Sequence, residues 1–226
     1  MIFIPNREKI ILVLEQQLSL FWKGLFNRTL LECAIEPALE KMENNLYKSN
    51  VTRFRNKKDC IFSVYDTTQW SIFLYYLSKI LCEMEFISEA NVVYYLNKIM
   101  HSVDWYYEIK LPDHFMVEHP VGSVLGKAQY GDYFMIYQGV TVGGNRKANI
   151  IEYPQLGNNI LLYANSSVIG NTIIGNNVII STGSILINEI IPSNSIVFGS
   201  TPNVQIKEKT EKDIKERTKH IWRWIE

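Results

Sequence analysis

Branched aliphatic residues recur at a strict spacing of six in the second half of this chain. They are Leu156, Leu162, Val168, Ile174, Ile180 and Leu186, with turn-forming Gly and Asn residues between them. An α-helix repeats about every 3.6 residues and a β-strand every second residue, so neither element alone gives this period. Short strands joined by regular turns do, because each strand places one aliphatic side chain in a shared interior. The repeat predicts a parallel β-helix; a β-sandwich would space its strands more widely, about 8–12 residues apart.

The preceding stretch keeps a rougher version of the same period. The positions predicted to face inward are Leu111, Val117, Met135 and Thr141, with polar Ser123 and Gln129 between them. The phase changes between Gly143 and Leu156. Residues 144–154 are therefore expected to leave the coil as an external loop, which is where repeat proteins often carry a binding surface.

The first hundred residues have a helical texture. Their apolar stripes run from Ile10 to Phe21, Leu30 to Met42, Trp70 to Leu81 and Val92 to Ile99. Gly24 is the only glycine before residue 122, which favours helices over turn-rich β structure. The polar stretch from 44 to 59 is expected to be a loop, or a helix followed by a loop.

The chain is predicted to end in a short helix. Thr210 and Asp213 have the spacing of a capping box, and Ile214, Ile221, Trp222 and Ile225 then share one face. That face packs either on the end of the β-helix or against another subunit. The predicted fold class is therefore α+β, with an all-helical N-terminal domain (1–103), a parallel β-helix domain (104–206) and a C-terminal helical tail (207–226).

Composition narrows the functional classes. Lys and Arg number 23, as do Asp and Glu, so net charge gives no argument for binding nucleic acid or an anionic membrane. No apolar run approaches about 18 residues, and no secretory leader is recognised. The three cysteines, Cys33, Cys60 and Cys82, are expected to be reduced thiols of a cytoplasmic protein.

His119 is the most promising candidate for chemistry among four histidines. A lone histidine is more often structural, but His119 lies at a predicted turn of the coil and Asp104 precedes it by fifteen residues. Residues this far apart stack on neighbouring coils, so Asp104 is expected to orient the imidazole. An imidazole with a pKa near 6.5 serves as a general base at neutral pH, and a carboxylate on its other nitrogen fixes the tautomer.

Residues from about 103 to 206 resemble the serine acetyltransferases. The family motifs VD, DHATGIVVGE and ILQSVTLGGT are matched by residues 103–104, 118–126 and 136–144, with no gap between the aspartate and the histidine. The closing AGVPARI is matched by residues 198–206. The resemblance implies a left-handed parallel β-helix, no metal, and direct acetyl transfer from acetyl-CoA to a hydroxyl of a small polar acceptor. His119 is then the general base, and Asp104 its partner.

The same resemblance implies where both substrates bind. The positions that match the acetyl-CoA site are Gly143, Gly144, Tyr163, Ala164, Thr182, Gly183, Ser200 and Pro202. Those that match the acceptor site are Glu118, Asp66 and Tyr153, with a helix N-cap as the competing interpretation for Asp66. Active sites of this family form between adjacent β-helices, which implies a homotrimer or a dimer of trimers.

Two departures put the acceptor in doubt. The aspartate before the catalytic histidine is Glu118 here, and the family's RHPKI, whose Arg and His hold the serine carboxylate, aligns with residues 152–156. Glu152 thus stands where a cation should bind an α-carboxylate, and like charges repel. Arg146 or Lys147 in the same loop are possible substitutes.

Three hypotheses follow. The first is L-serine O-acetylation, in cysteine biosynthesis by resemblance. The second is O- or N-acetylation of a sugar or nucleotide sugar in surface polysaccharide biosynthesis. The third, of another class, is a non-catalytic β-helix scaffold. A carbonic anhydrase of the same fold would need metal-binding histidines in the repeats, and the repeats after His119 contain none.

Overall fold

The computed structural model describes residues 1–224, and its order of elements is a helical region, a long coil of short strands and a final helix. The helices are α1 (Lys9–Trp22), α2 (Arg28–Lys48), α3 (Thr67–Glu83), α4 (Ile87–His101) and α5 (Glu211–Thr218), with a 3₁₀ turn at Thr52–Phe54. Each predicted apolar stripe lies on one of the first four helices. Within this range no helix combines the length and apolarity needed to cross a bilayer.

Helix α3 is the centre of the helical region. It packs against both α2 and α4, and it is buried along nearly all of its length. Tyr75 and Tyr76 project from it onto Phe115, at ring-centroid distances of 5.5 Å for both pairs. Since Phe115 lies in the first coil of the repeat region, the helical core continues directly into the β-helix.

The prediction of an all-helical N-terminal domain is wrong in one respect. A small sheet forms from β1 (Ile2–Ile4), β2 (Arg55–Asn56) and β3 (Asp59–Ser63), with β3 in the middle. Its cause is the short alternation in β3, where Cys60 and Phe62 point into the core. Phe62 packs on Phe73 of α3 at 5.4 Å, so this alternating segment fills a gap that a helix would not.

The repeat region is a three-sided coil of parallel strands. The strands are β4 (Asp104–Trp105), β5 (Phe115–Val117), β6 (Val124–Leu125), β7 (Gln129–Tyr130), β8 (Phe134–Ile136), β9 (Thr141–Gly143), β10 (Asn145–Lys147), β11 (Ile150–Glu152), β12 (Gln155–Leu156), β13 (Ile160–Leu162), β14 (Ser167–Ile169), β15 (Ile173–Ile174), β16 (Val178–Ile180), β17 (Ile185–Ile187), β18 (Ile190–Ile191), β19 (Ser195–Phe198) and β20 (Gln205–Glu208). The first sheet is β4-β6-β9-β14-β17, the second β5-β8-β13-β16-β19 and the third β7-β12-β15-β18. The chain passes through the second, first and third sheets in turn, which defines a parallel β-helix.

The six-residue period sets the interior of the coil, as predicted. All six aliphatic positions of the repeat are buried, with at most 5% of any of them exposed. In the early coils the predicted phase is wrong by one residue, since Ile136 and Val142 face inward in place of Met135 and Thr141. The interval from Val117 to the next inward residue, Leu125, is eight residues rather than six, and a shift of one residue exchanges the faces of a strand.

Residues 144–154 do leave the coil, as a β-hairpin. Strands β10 and β11 pair antiparallel to each other, with Asn145 opposite Glu152. The last strand, β20, also runs antiparallel, to β19. Parallel stacking therefore ends there, and the chain turns back toward its helical region.

The second sheet is buried on both faces. Its outward side chains are as buried as its inward ones, with at most 8% exposed; they are Met116, Met135, Leu161, Ile179 and Ile196. The C-terminal segment contributes apolar cover here, since Trp222 packs on Tyr133 beside β8 at 5.4 Å.

The C-terminal segment is also fastened to the end of α2. The Asn50 N–H donates to the Ile221 carbonyl at 2.8 Å, and Ser49 forms a β-bridge with Trp222. The tail thus packs within its own chain, alongside the coil and not at its end. The Ile225 part of the predicted apolar face lies outside the described residues.

Two glycines at equivalent corners of the coil allow the cost of backbone strain to be measured separately from the cost of a steric clash. Gly139 and Gly183 both have left-handed φ angles, +65° and +71°, but a Cβ on Gly139 would clash with Asn165 Oδ1, whereas a Cβ on Gly183 meets open space. We expect Gly183→Ala to cost about 1–2 kcal/mol of unfolding free energy, and Gly139→Ala to cost at least about 1 kcal/mol more. Denaturant unfolding measures both, and equal losses would contradict the clash.

Candidate active site

His119 lies on a two-residue bulge of the coil. Val117 pairs with Ile136 in the second sheet, and Gly139 N–H donates to the Val121 carbonyl at the following corner. Val121 lies four residues after Val117, whereas the equivalent positions on the next coil, Ile136 and Gln138, are only two residues apart. The extra residues push Glu118 and His119 out of the coil.

The backbone of His119 is left-handed, as it is at ten other non-glycine residues of the described chain. Its φ is +51°, a left-handed conformation that a non-glycine residue adopts at a cost of about 1–2 kcal/mol, and its side chain is exposed. Here the ladder on either side of the bulge holds this conformation, and the imidazole is presented to solvent.

Asp104 is held by helix α4 instead of by His119. Tyr94 Oη and Lys98 Nζ each donate to its carboxylate at 2.6 Å, and among the described residues it has no hydrogen bond to His119. Burial alone would raise the pKa of Asp104, but the hydrogen bonds from Lys98 and Tyr94 outweigh burial and lower it below its usual value. The strand that carries Asp104 still neighbours the histidine corner, since the Gly122 N–H donates to the Ser102 carbonyl.

Asp66 and Glu118 come together on a residue that sequence reasoning missed. Arg53 Nη2 donates to both oxygens of Glu118 at 3.0 and 2.9 Å, and its Nε donates to Asp66 Oδ2 at 3.2 Å. Asp66 is also the N-cap of α3, accepting from the Gln69 N–H at 3.0 Å. Both interpretations of Asp66 are therefore compatible with one another.

Arg53 is well placed by its neighbours. It sits in the 3₁₀ turn beside Phe54, which is completely buried, and its guanidinium lies 4.5 Å from the centroid of that ring. Burial acts against the charge, but Glu118 and Asp66 outweigh it and raise the pKa of Arg53 further. The network of three charges, Asp66–Arg53–Glu118, has a net charge of −1.

A cleft of about 490 Å³ opens beside this network. Its lining includes Arg53, Glu118, Met135, Tyr137 and, from the C-terminal segment, Lys219, His220 and Ile221. Tyr137 follows β8 at the corner level of Glu118 and stacks on Tyr163 of the next coil, at 5.2 Å between ring centroids and 27° between ring planes. A charged network and an aromatic surface thus line one cleft, directly before His119 in the chain.

The corner residues predicted to bind acetyl-CoA form a ledge along the axis of the coil. The Asn165 N–H donates to the Gln138 carbonyl, and the Gly183 N–H donates to the Ala164 carbonyl. Tyr163, Ala164, Thr182 and Gly183 therefore stack above the corner of His119, and Ser200 continues the row through its bridge to Ile185. Pro202 follows on the last coil and is exposed.

Gly143, Gly144 and Tyr153 lie at a different edge of the same chain. They flank the hairpin between the first and third sheets, whereas His119 lies between the second and first. A Cβ on Gly143 would meet open space, but one on Gly144 would come within 2.8 Å of Tyr153 and Ile151. Packing within its own chain is therefore enough to explain why residue 144 is a glycine. Lys127 Nζ lies 5.0 Å from the centre of the Tyr153 ring.

Two other histidines have structural surroundings. His114 Nδ1 lies 2.7 Å from Asp132 Oδ2, and its ring stacks on Tyr133. His101 at the end of α4 lies 2.7 Å from Asn97 Oδ1 and is 6% exposed. Across residues 1–224, no three His, Cys, Asp or Glu side chains are grouped as a metal site would require.

Burial lowers the pKa of His101 to about 4, which makes stability depend on pH. In the unfolded chain its pKa is about 6.5, so the unfolded state binds more protons between these values and stability falls as the pH drops from 7 to 4, by about 3 kcal/mol. We expect His101→Gln, which keeps a partner for Asn97 but does not titrate, to lose less stability over that range. Parallel stability curves for the two proteins would contradict this.

Comparisons with known proteins agree with the geometry. A serine acetyltransferase of Synechococcus elongatus is 37% identical over 78 residues, covering 34% of this chain and 32% of the relative. One from Synechocystis is 44% identical over 59 residues, covering 26% and 24%. The chain is similar to serine acetyltransferases. The matches span about a third or less of these curated relatives, and no family model matches the chain.

Solved serine acetyltransferases share the fold across most of the chain. A complex with cysteine superposes with a TM-score of 0.71 at 19% identity, covering 91% of this chain and 80% of that one. A complex with CoA gives 0.68 at 18% identity, covering 87% and 83%. The architecture of helical region, parallel coil and C-terminal helix is therefore that of serine acetyltransferases.

Proposed function

We propose that this protein is an acetyl-CoA-dependent O-acetyltransferase of the serine acetyltransferase kind, with a left-handed coil, and that it acts in the cytoplasm. The observation that carries the proposal is the position of His119, exposed on a strained bulge at the head of the corner ledge. The similarity of the chain to serine acetyltransferases supports the same function.

The proposed reaction is a direct transfer. His119 accepts the proton of the acceptor hydroxyl as the oxygen forms a bond to the thioester carbonyl carbon of acetyl-CoA. The carbon–sulfur bond then breaks, the CoA sulfur leaves with the electron pair, and the imidazolium returns the proton to it. Asp104, ionised at neutral pH, stabilises the imidazolium by exchanging its Lys98 contact for His119. No metal is assigned a role.

We propose that the donor lies along the corner ledge. Tyr163, Ala164, Thr182 and Gly183 flank the pantetheine arm, and Ser200 and Pro202 lie toward the nucleotide. The open space at Gly183 supports this, because an arm on the ledge needs room where a side chain would otherwise stand. The serine acetyltransferase solved with CoA has the same overall fold, which also supports it.

A homotrimer, or a dimer of trimers, completes the site in this proposal. Domain 104–206 would supply two edges to each site, with Gly143, Gly144 and Tyr153 of one chain facing His119 of the next. Apolar side chains exposed on the later coils support such contacts: they are Ile173, Ile185, Ile187 and Ile190, between 37% and 74% exposed. Domain 1–103 supplies Asp66 and Arg53, and the tail 207–226 supplies a wall of the cleft.

The acceptor has two candidates. L-serine follows from the similarity to serine acetyltransferases. A sugar hydroxyl is favoured by a specific observation: Arg53 already occupies Asp66 and Glu118 in a network of net charge −1, and Glu152 aligns with the position where a carboxylate would bind.

Release of free CoA from acetyl-CoA tests the proposed function. We expect tight acetyl-CoA binding by calorimetry, and release of CoA that needs both an acceptor and His119. A protein that binds no acetyl-CoA and turns over no acceptor would instead be a scaffold.

A further inference from the structure

We propose that the acceptor is a neutral polyhydroxylated ring, a sugar, that stacks on Tyr137 and hydrogen-bonds to the Asp66–Arg53–Glu118 network. This inference rests on the proposed function and narrows its substrate. It assigns Arg53 and Tyr137 as acceptor-binding residues.

The charge of the network disfavours an amino acid. An α-ammonium group would have to compete with Arg53 for Glu118 and Asp66, and Arg53 holds Glu118 through both of its oxygens. An α-carboxylate would find one guanidinium nitrogen, Nη1, that has no partner among residues 1–224, in a network whose net charge is already −1. The network therefore repels the carboxylate half of a zwitterion, and the ammonium half, although attracted, must share Glu118 with Arg53.

Hydroxyl groups suit the same network. A hydroxyl both donates and accepts, so neighbouring hydroxyls of one ring can donate to the carboxylates of Asp66 and Glu118 while accepting from Arg53 Nη1. These contacts are charge-assisted and strong without any net charge on the acceptor. The side chains of Asp66 and Glu118 are 22% and 23% exposed. Glu118 and Arg53 line the cleft itself, and Asp66 lies behind them, bonded to Arg53.

Tyr137 supplies the complementary apolar surface. One face of its ring stacks on Tyr163, which leaves the other on the side of Glu118 and Arg53, within the cleft. The C–H face of a pyranose packs on such a ring, whereas serine has no comparable surface. His119 follows Glu118 directly in the chain, so the cleft borders the bulge that carries the proposed base.

The test compares acceptors in the CoA-release assay with full-length protein. The probes are methyl glycosides of glucose, galactose and mannose, uridine-diphosphate sugars, glucosamine and L-serine. We expect kcat/KM for one of the methyl glycosides to exceed that for L-serine at least about tenfold. Turnover of the uridine-diphosphate sugars alone, which carry negative charge, would contradict a neutral acceptor. Equal or faster turnover of L-serine overturns the inference and leaves the proposed function intact. The absence of CoA release with every sugar, while acetyl-CoA still binds, does the same.

Variants test the assigned residues. Arg53→Met leaves two unneutralised carboxylates, so we expect the preference for glucosamine over methyl glucoside to rise at least about tenfold. Tyr137→Leu should raise KM for the sugar with little change in kcat, and Tyr137→Phe should behave as wild type. Arg217→Met, at an exposed arginine of α5, is the matched control. An unchanged glucosamine preference in Arg53→Met, or an unchanged KM in Tyr137→Leu, overturns the assignment.

Discussion

His119→Asn is expected to lower kcat for acetyl transfer by about 10²–10⁴-fold, the usual contribution of a positioned general base. Asparagine is the most informative substitution because it tolerates the left-handed backbone that His119 adopts better than most other residues do. The bulge should therefore keep its shape while it loses its base. Steady-state release of CoA at saturating acceptor measures the effect.

Two measurements separate this loss from a folding defect. Acetyl-CoA should bind His119→Asn with nearly wild-type affinity, because the ledge lies on the following coils, and the unfolding midpoint should be unchanged. A variant that keeps at least a third of the wild-type kcat would remove His119 from the mechanism.

Trp222→Ala is expected to lower the free energy of unfolding by about 3–5 kcal/mol, the cost of deleting a large buried aromatic side chain. Trp222 is 1% exposed and lies between Tyr133 of the coil and the bridge to Ser49. Its loss therefore leaves a cavity and releases the wall of the acceptor cleft. Chemical denaturation followed by circular dichroism measures the stability change.

Leu20→Ala is the matched control, since Leu20 is 77% exposed on α1 and should cost less than about 0.5 kcal/mol. The loss of unfolding free energy in Trp222→Phe should lie between those of Trp222→Ala and Leu20→Ala. If Trp222→Ala cost no more than Leu20→Ala, the C-terminal segment would not pack in solution as it does here. KM for the acceptor in Trp222→Ala should rise as well, because His220 and Ile221 line the cleft.

Much of the fold follows from local pattern. The six-residue period placed Leu162 and Ile180 inside a coil, and helical stripes located all four N-terminal helices, because burial of one face is what both patterns encode. The register of the early coils was missed because the period breaks twice, with eight residues from Val117 to Leu125 across the His119 bulge and five from Leu125 to Tyr130. The small N-terminal sheet was missed because β1 and β3 are short and 54 residues separate Ile4 from Asp59.

The residues of the candidate site are likewise of two kinds, those that a local sequence motif identifies and those that only tertiary packing brings together. His119 and Glu118 belong to a contiguous motif, so resemblance could identify them. Arg53 lies 65 residues from Glu118 and 13 from Asp66, in a stretch expected to be a loop, and no spacing rule connects the three. Tyr137 and His220 meet only because the tail returns along the coil. Contacts of this kind depend on tertiary packing, which a single sequence does not reveal.

The bulge that carries His119 is an interruption of the repeat and not a member of it. The ladder closes on both sides of it, where the Glu118 N–H donates to the Ile136 carbonyl and the Gly139 N–H donates to the Val121 carbonyl. The exposed side chain of His119 makes no hydrogen bond to the rest of residues 1–224, so the coil does not depend on it. A coil of this kind can gain or lose its reactive group at one corner while its strands, its interior and its ledge stay in register. The catalytic activity of such a protein can therefore be lost or changed in evolution without a change in the β-helix that carries the reactive residue.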